Sequence, residues 1–244
     1  MLILNDAPRP PCAHGPYTAV IRMRILHLAT GLLLMTTVVS GNLSGQSTSA
    51  EPTEPSQTND AALHDYTSCT FDDGLQIVKV DSLPPGVQER SVDTKSGPKT
   101  IRMLAGRRIM FAYGIGGDFF VNVKPEILPD DTWAVEKQAL LDALDTMLSS
   151  SHDTLPDTTF PRQVHGLEVR GFNRTTLHGG TLGFYLIFDD TRHIATSVYL
   201  LNQEPLTRRF QTIEQYRQLS TRFLKTYTNC IAENQALHAP RDAK

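Results

Sequence analysis

The stretch "TLGFYLIFDDTRHIATSVYLLN" (181–202) consists of two apolar runs that are joined by the short polar connection "DDTR" (189–192). Both runs are rich in aromatic and β-branched residues, which favour strands, whereas aspartate favours turns. The pattern therefore predicts two consecutive strands, at 181–190 and 193–202, within an antiparallel sheet.

Each of these strands has two faces, because successive side chains point to opposite sides of a sheet. One set of residues is expected to pack under helices: Leu182, Phe184, Leu186 and Phe188, together with Ile194, Val198 and Leu200. The opposite faces carry Tyr185 and Tyr199, whose phenol groups need polar partners, and are too apolar for a fully solvated surface. These opposite faces form either a second core face or a surface on which Tyr185 and Tyr199 bind a partner or ligand.

Two stretches have the period of an amphipathic helix. In "DDTWAVEKQALLDALDTMLSSS" (130–151) the leucines recur at helical spacing. In "TIEQYRQLSTRFLKTYTNCI" (212–231) Thr212 and Gln215 form a capping box ahead of an apolar stripe. We therefore expect one helix before the 181–202 strands and one after them.

Further strands are predicted at "LQIVKV" (75–80), on either side of Gly116 within residues 100–128, and at "HGLEVRGF" (165–172). Residues 83–99 are interpreted as a long connection. The order is then β, a β-hairpin, α, three β and α. It predicts an α+β fold in which an antiparallel sheet of about six strands packs with two helices.

This order and size resemble the PsbP-like group of α/β/α sandwich proteins over residues 65–232. Members of that group are small extra-cytoplasmic domains, and the photosynthetic ones assist a membrane complex without catalysing a reaction. The resemblance rests on element order and includes no motif, so it implies an accessory role but assigns no functional residue. A cystatin-like curved sheet with helices is the alternative fold.

The N-terminal region has the organisation of a secretory signal peptide. Arg22 and Arg24 precede an apolar run, Ile25–Val39, and small residues follow it. The run is shorter than the roughly 20 apolar residues that a membrane-spanning helix needs. We expect export to the periplasm or the extracellular space, with cleavage between Val39 and Gln46. A retained membrane anchor is the alternative.

Composition divides the chain into five segments. Residues 1–22 are expected to be a non-native or extended N-terminus, with translation starting at the methionine that opens the signal peptide, 23–45. Residues 46–63 are rich in Ser, Thr, Pro and Glu and are interpreted as a disordered linker. A single α+β domain is expected over 64–232, and a flexible tail over 233–244.

The chain has three cysteines, and the exported form is expected to keep two of them. Cys12 would be removed with the leader, which leaves Cys69 and Cys230 at the two ends of the predicted domain. Cys230 lies within about 40 degrees of Tyr216 on the inward stripe of the last helix. In an oxidising compartment these two residues are expected to form a disulfide bond.

Charge and composition narrow the choice of partners. The net charge is -3, with 26 acidic against 23 basic residues, so no basic surface for nucleic acid is expected. The expected partner is an envelope protein or a small ligand. Contact with a membrane is expected only if the leader is retained.

No motif predicts a catalytic residue, a metal site or a cofactor. The glycine-rich "YGIGGD" (113–118) precedes a strand-like run, which favours a hairpin turn over a phosphate-binding loop. The paired aspartates lie at element ends, and the histidines lack the spacing of zinc ligands. The hypothesis is an exported, non-enzymatic accessory or binding domain of the cell envelope. The alternative is a small exported hydrolase whose site is assembled only in three dimensions, in a pocket where titratable groups converge.

Overall fold

The computed structural model describes residues 55–71, 74–84, 86–113, 119–203 and 210–238. The predicted N-terminal extension and signal peptide lie outside these residues, and so does the glycine-rich turn after residue 113. Within the described ranges, no helix has both the length and the apolar composition that crossing a membrane requires.

Three helices and ten strands make up the described part of the chain. The helices are α1 (Pro55–Thr67), α2 (Trp133–Ser150) and α3 (Ile213–His238). The strands are β1 (Leu75–Ser82), β2 (Gln88–Thr94), β3 (Gly97–Met103), β4 (Ala105–Tyr113), β5 (Phe119–Ile127), β6 (Thr154–Pro156), β7 (Gln163–Val164), β8 (Leu167–Arg174), β9 (Gly180–Asp189) and β10 (Ile194–Asn202).

Eight of the strands form one antiparallel sheet. Its order is β1-β4-β5-β10-β9-β8-β6, with β7 paired to β8, whereas β2 and β3 form a separate hairpin. The two strands predicted at 181–202 are β9 and β10, which lie in the middle of the sheet and pair with each other. The strands predicted around Gly116 are β4 and β5, which also pair antiparallel.

Helices cover both faces of the sheet. The larger core lies between one face and helices α1 and α3, with Tyr66, Phe111, Val198, Phe223 and Tyr227 among its members. The smaller core lies between the other face and α2, together with the β2–β3 hairpin. The predicted α+β class, an antiparallel sheet packed with helices, is therefore confirmed.

The numbers of strands and helices differ from the prediction of about six strands and two helices. The predicted connection 83–99 contains β2 and the start of β3. Its turn is closed by Thr94, whose Oγ1 donates a hydrogen bond to the carbonyl of Gly97 over 2.7 Å, and Gly97 has a φ of 104°. Val92 is the single apolar residue of β2, so no apolar run marks this strand.

Both ends of the domain extend beyond the predicted boundaries. Residues 55–63, assigned to the disordered linker, lie in α1, and residues 233–238, assigned to the flexible tail, lie in α3. Helices α1 and α3 contact each other: Asn234 Nδ2 donates to the carbonyl of Asp65 over 2.9 Å, and Tyr66 is completely buried in the core that α3 covers.

The predicted pairing of Cys69 with Cys230 is present. Their Cα atoms lie 5.8 Å apart, within the range of disulfide bonds, and their sulfur atoms lie at bonding distance. The bond attaches the segment after α1 to the third quarter of α3. It therefore closes nearly the whole domain into one covalent loop.

At the start of α3, the predicted capping residues Thr212 and Gln215 form one of the two hydrogen bonds of a capping box, and Gln215 has a different partner in the other. Thr212 Oγ1 accepts a hydrogen bond from the backbone N–H of Gln215 over 3.3 Å, as a capping box requires. Gln215 Oε1 accepts instead from the N–H of Gln211, over 2.8 Å. Two donors at the helix start are thereby satisfied.

Candidate functional site

Tyr185 and Tyr199, predicted to share a face, lie on opposite faces of the sheet. Tyr185 is opposite Val198 across β9 and β10, and it belongs to the core beneath α1 and α3. Tyr199 is opposite Phe184 and packs against the core beneath α2. The prediction of one binding face that contains both tyrosines is therefore wrong.

Tyr185 is a core residue with satisfied polar contacts. Its side chain is only 1% exposed, and its hydroxyl donates to Asp157 Oδ2 over 2.7 Å. The same hydroxyl accepts a hydrogen bond from Ser220 Oγ of α3 over 3.2 Å. Burial raises the pKa of Tyr185 well above its usual value, so the phenol stays neutral. A buried residue with these partners cannot contact a ligand.

Tyr199 is half-buried, and its ring lies between an aromatic and a cationic side chain. The ring centroids of Tyr199 and Phe184 are 4.7 Å apart, and Lys124 Nζ lies 4.9 Å from the Tyr199 centroid. The hydroxyl of Tyr199 has no hydrogen-bond partner among the described residues. Burial raises the pKa of Tyr199, so its hydroxyl remains a donor at neutral pH.

Three cationic side chains and one carboxylate surround this ring. Arg90 of β2 donates through Nη2 to Glu126 Oε2 over 2.7 Å, and the Glu126 side chain is only 6% exposed. Lys124 and Arg108 form no ion pair within the described part of the chain. Burial lowers the pKa of Lys124, and the charges of Arg108 and Arg90 lower it further against the opposing effect of Glu126. The site therefore brings three cations together beside the ring, with Glu126 paired to Arg90 and Asp81 of β1 opposite Arg108.

Apolar side chains extend the site across neighbouring strands. Tyr199 of β10 is opposite Asn122 of β5, which in turn is opposite Met110 of β4. In the adjacent row, Leu201 is opposite Phe120. The side chains in these rows are half-buried and lie beside the α2 core rather than within it. We call the surface formed by Tyr199, Lys124, Arg108, Arg90 and these rows the Tyr199 face.

A small cavity opens at the margin of the Tyr199 face. It has a volume of about 180 Å³ and lies between α2, β2 and the sheet. Arg90 and Tyr199 line one side of it, and Leu144 and Met147 of α2 line the other. Arg90 Nε is buried there without a hydrogen-bond partner in the described residues. The cavity thus combines apolar walls with two charged residues, Arg90 and Asp93.

A second, larger cavity lies between α1, the end of α3 and the β9–β10 turn. Its volume is about 550 Å³, and His64, Asp65, Arg192 and His238 are among its lining residues. The Asp65 carboxylate is buried and accepts hydrogen bonds from Arg192 Nη1 and, over 2.7 Å, from His238 Nδ1. These residues come from three distant segments, so no sequence spacing indicated the cluster.

Two further histidines, His165 and His193, occupy structural positions. His165 and His193 both adopt a φ of 52° in turns before strands. His165 Nε2 lies 2.7 Å from Asn229 Oδ1, and His193 Nδ1 lies 2.6 Å from Asp130 Oδ1. His193 also stacks on Trp133 with a centroid separation of 5.2 Å.

Across the described ranges, no group of three His, Cys, Asp or Glu side chains is arranged to hold a metal ion. Comparisons of the chain with protein-family models, with curated proteins and with solved structures found no match. The features of the described residues that bear on function are therefore the two cavities and the Tyr199 face.

Proposed function

We propose that this chain is an exported, non-enzymatic binding domain of the cell envelope, and that it binds its ligand on the Tyr199 face. The observation that carries the proposal is the group of cations there: Arg90, Arg108 and Lys124 surround a half-buried aromatic ring, and of the three only Arg90 forms an ion pair among the described residues. The Cys69–Cys230 pair supports an oxidising compartment. An accessory role of the kind implied by the PsbP-like resemblance is part of the same proposal.

The ligand that fits this surface is an anion with an apolar or aromatic part. Lys124 is partly desolvated, so a carboxylate, sulfonate or phosphate placed beside it would gain a charge-assisted hydrogen bond. The ring of Tyr199 and the side chains of Met110 and Phe120 would contact the apolar part. The free hydroxyl of Tyr199 supplies one further donor.

Anilinonaphthalene sulfonate is a suitable probe, because it combines an anionic group with aromatic rings and fluoresces when it binds apolar surface. We expect the purified protein to bind one molecule of the probe in a fluorescence titration. Tyr199→Ala and Lys124→Gln should each weaken binding about tenfold, the loss expected for one contact to a charged group. The matched control is Lys225→Gln, since Lys225 is exposed on α3 at the other face of the sheet.

Equal affinities of the wild type, Tyr199→Ala and Lys124→Gln would contradict the proposal. An equal loss in Lys225→Gln would do the same, because it would show that the probe responds to total charge. Circular dichroism of each variant separates lost binding from lost folding.

The alternative function, hydrolysis, is favoured by one observation in the larger cavity. His238 holds its Nδ1 on the buried carboxylate of Asp65, which is the arrangement of a general-base histidine, and its Nε2 has no hydrogen-bond partner among the described residues. Arg192 also forms an ion pair with Asp65, so the negative charge of this carboxylate is already balanced in part without His238. The same contacts join α1, α3 and the β9–β10 turn, so they have a structural role that needs no reaction.

We expect no hydrolysis of p-nitrophenyl acetate above the rate of the solvent reaction. A measurable rate that His238→Gln abolishes and His152→Gln leaves unchanged would instead establish the hydrolase. His152 is a suitable control because it is exposed and lies at the end of α2, far along the chain from the Asp65 cluster.

A further inference from the structure

The β1 strand is an unprotected edge of the large sheet. It is eight residues long, and no described strand pairs with its outer side. The opposite edge is β6, which has only three residues and ends in Pro156. On β1, Ile77, Val78 and Val80 are 43%, 53% and 49% exposed, respectively. Long edges with exposed β-branched residues are the edges that accept another strand.

The charges on β1 are arranged symmetrically about Val80. Lys79 precedes it and Asp81 follows it, and these two side chains form an exposed ion pair with an N–O distance of 2.7 Å. When two copies of such a strand pair antiparallel with Val80 opposite Val80, each Lys79 lies opposite the Asp81 of the other copy. The sequence is therefore charge-complementary to itself in this register.

The faces of β1 agree with this register. Val80 is opposite Ile109 of β4, whose side chain belongs to the core beneath α1 and α3. Lys79 is opposite Met110 and Asp81 is opposite Arg108, both on the other face of the sheet. Directly opposed residues of an antiparallel pair share a face, as the two valines and the two Lys–Asp pairs would.

We propose that β1 pairs antiparallel with β1 of a second copy of this chain, with Val80 on the two-fold axis. The irregularity between Ile77 and Lys79 limits the regular part of the pairing to the residues around Val80. A second copy fits better than an unrelated peptide because the two Lys79–Asp81 pairs within the copies would be exchanged for two equivalent pairs between them, so that no charge is left without a partner. The resulting interface is isologous, as in most homodimers.

This arrangement goes beyond the proposed ligand binding and does not depend on it. The two-fold axis would be perpendicular to the sheets, so the two Tyr199 faces would lie on the same side of the dimer. Seven strand spacings would separate the two β10 strands, a distance of about 34 Å. A dimer would thus present two copies of the cationic face in one direction.

The test is sedimentation velocity of the purified protein over a wide concentration range. We expect a reversible monomer–dimer equilibrium for the wild type. Val80→Lys should abolish the dimer, because it places two like charges on the axis, whereas Val87→Lys, at a valine that is 60% exposed outside β1, should leave it unchanged.

A charge exchange keeps the test decisive even if one variant folds poorly. Lys79→Asp should raise the dissociation constant about tenfold, because the introduced carboxylate of each copy would oppose Asp81 of the other copy. The double variant Lys79→Asp/Asp81→Lys should restore wild-type association. A wild type that is monomeric at every concentration, or a dimer that Val80→Lys leaves intact, would overturn the proposal.

Discussion

The double variant Cys69→Ser/Cys230→Ser is expected to have a free energy of unfolding about 4 kcal/mol lower than that of the wild type. The two cysteines are separated by 161 positions, so the bond removes a large amount of conformational entropy from the unfolded chain. The loss should appear in equilibrium urea unfolding as a lower midpoint. It is a large fraction of the total stability of a typical domain.

Two measurements separate the bond from the side chains that form it. Unfolding the wild type in the presence of a reductant should give the same loss as the double variant, whereas Cys12→Ser should have no effect. An unchanged midpoint under reducing conditions would contradict the prediction. Proteolysis should show where the released structure lies: α1 should be cleaved first, because Cys69 follows it directly and its own buried residues are few.

The central strands were predictable from sequence because their determinants are local. β9 and β10 are continuous apolar runs on either side of a polar turn, so both strands and their pairing follow from the amino-acid sequence. The disulfide was predictable for a similar reason. With Cys12 set aside, only one pairing remains, and the position of Cys230 on the inward side of α3 agrees with it.

Which face of the sheet the residues of β9 and β10 share was not predictable, because it depends on the register between the two strands. Asp189 is opposite Ile194 across the turn, so residues of opposite parity share a face, and Tyr185 joins Val198 rather than Tyr199. The register between β9 and β10 also shifts by one residue further along the pair. Leu200 is opposite Gly183 but Leu201 is opposite Thr181, so Leu182 enters the core of Tyr185 instead of that of Phe184.

The Tyr199 face escaped prediction because one of its charges comes from an unrecognised strand. Arg90 lies on β2, where Val92 is the single apolar residue, and nothing in that segment has the pattern of a half-buried strand. Its contact with Glu126 joins residues that are far apart in sequence. Tyr199 itself could be singled out only as a residue of either a second core face or a binding surface, since a phenol in an apolar strand must satisfy its hydroxyl either inside the protein or at a surface.

Phe223→Ala is the second substitution with a large expected effect, a loss of about 4 kcal/mol in the free energy of unfolding. Phe223 is completely buried where α3 packs on the sheet. Its ring stacks on Phe71 with a centroid distance of 4.9 Å and on Tyr227 at 5.7 Å, and it contacts Phe111 edge-on at 6.0 Å. Truncation would therefore leave a cavity among three rings, those of Tyr227 on α3, Phe111 on β4 and Phe71 in the connection after α1.

Leu237→Ala provides the matched control on the same helix, because Leu237 is 76% exposed and its truncation should change stability by less than about 0.5 kcal/mol. Alanine favours helix slightly more than phenylalanine does, so helix propensity opposes the loss in Phe223→Ala and cannot account for it. Phe223→Leu, which keeps most of the buried volume, should cost only about 1 kcal/mol. Similar losses in Phe223→Ala and Leu237→Ala would mean that α3 does not cover this face of the sheet. Tyr185 would then be exposed to solvent, and the reason for excluding it from ligand binding, its burial beneath α3, would no longer hold.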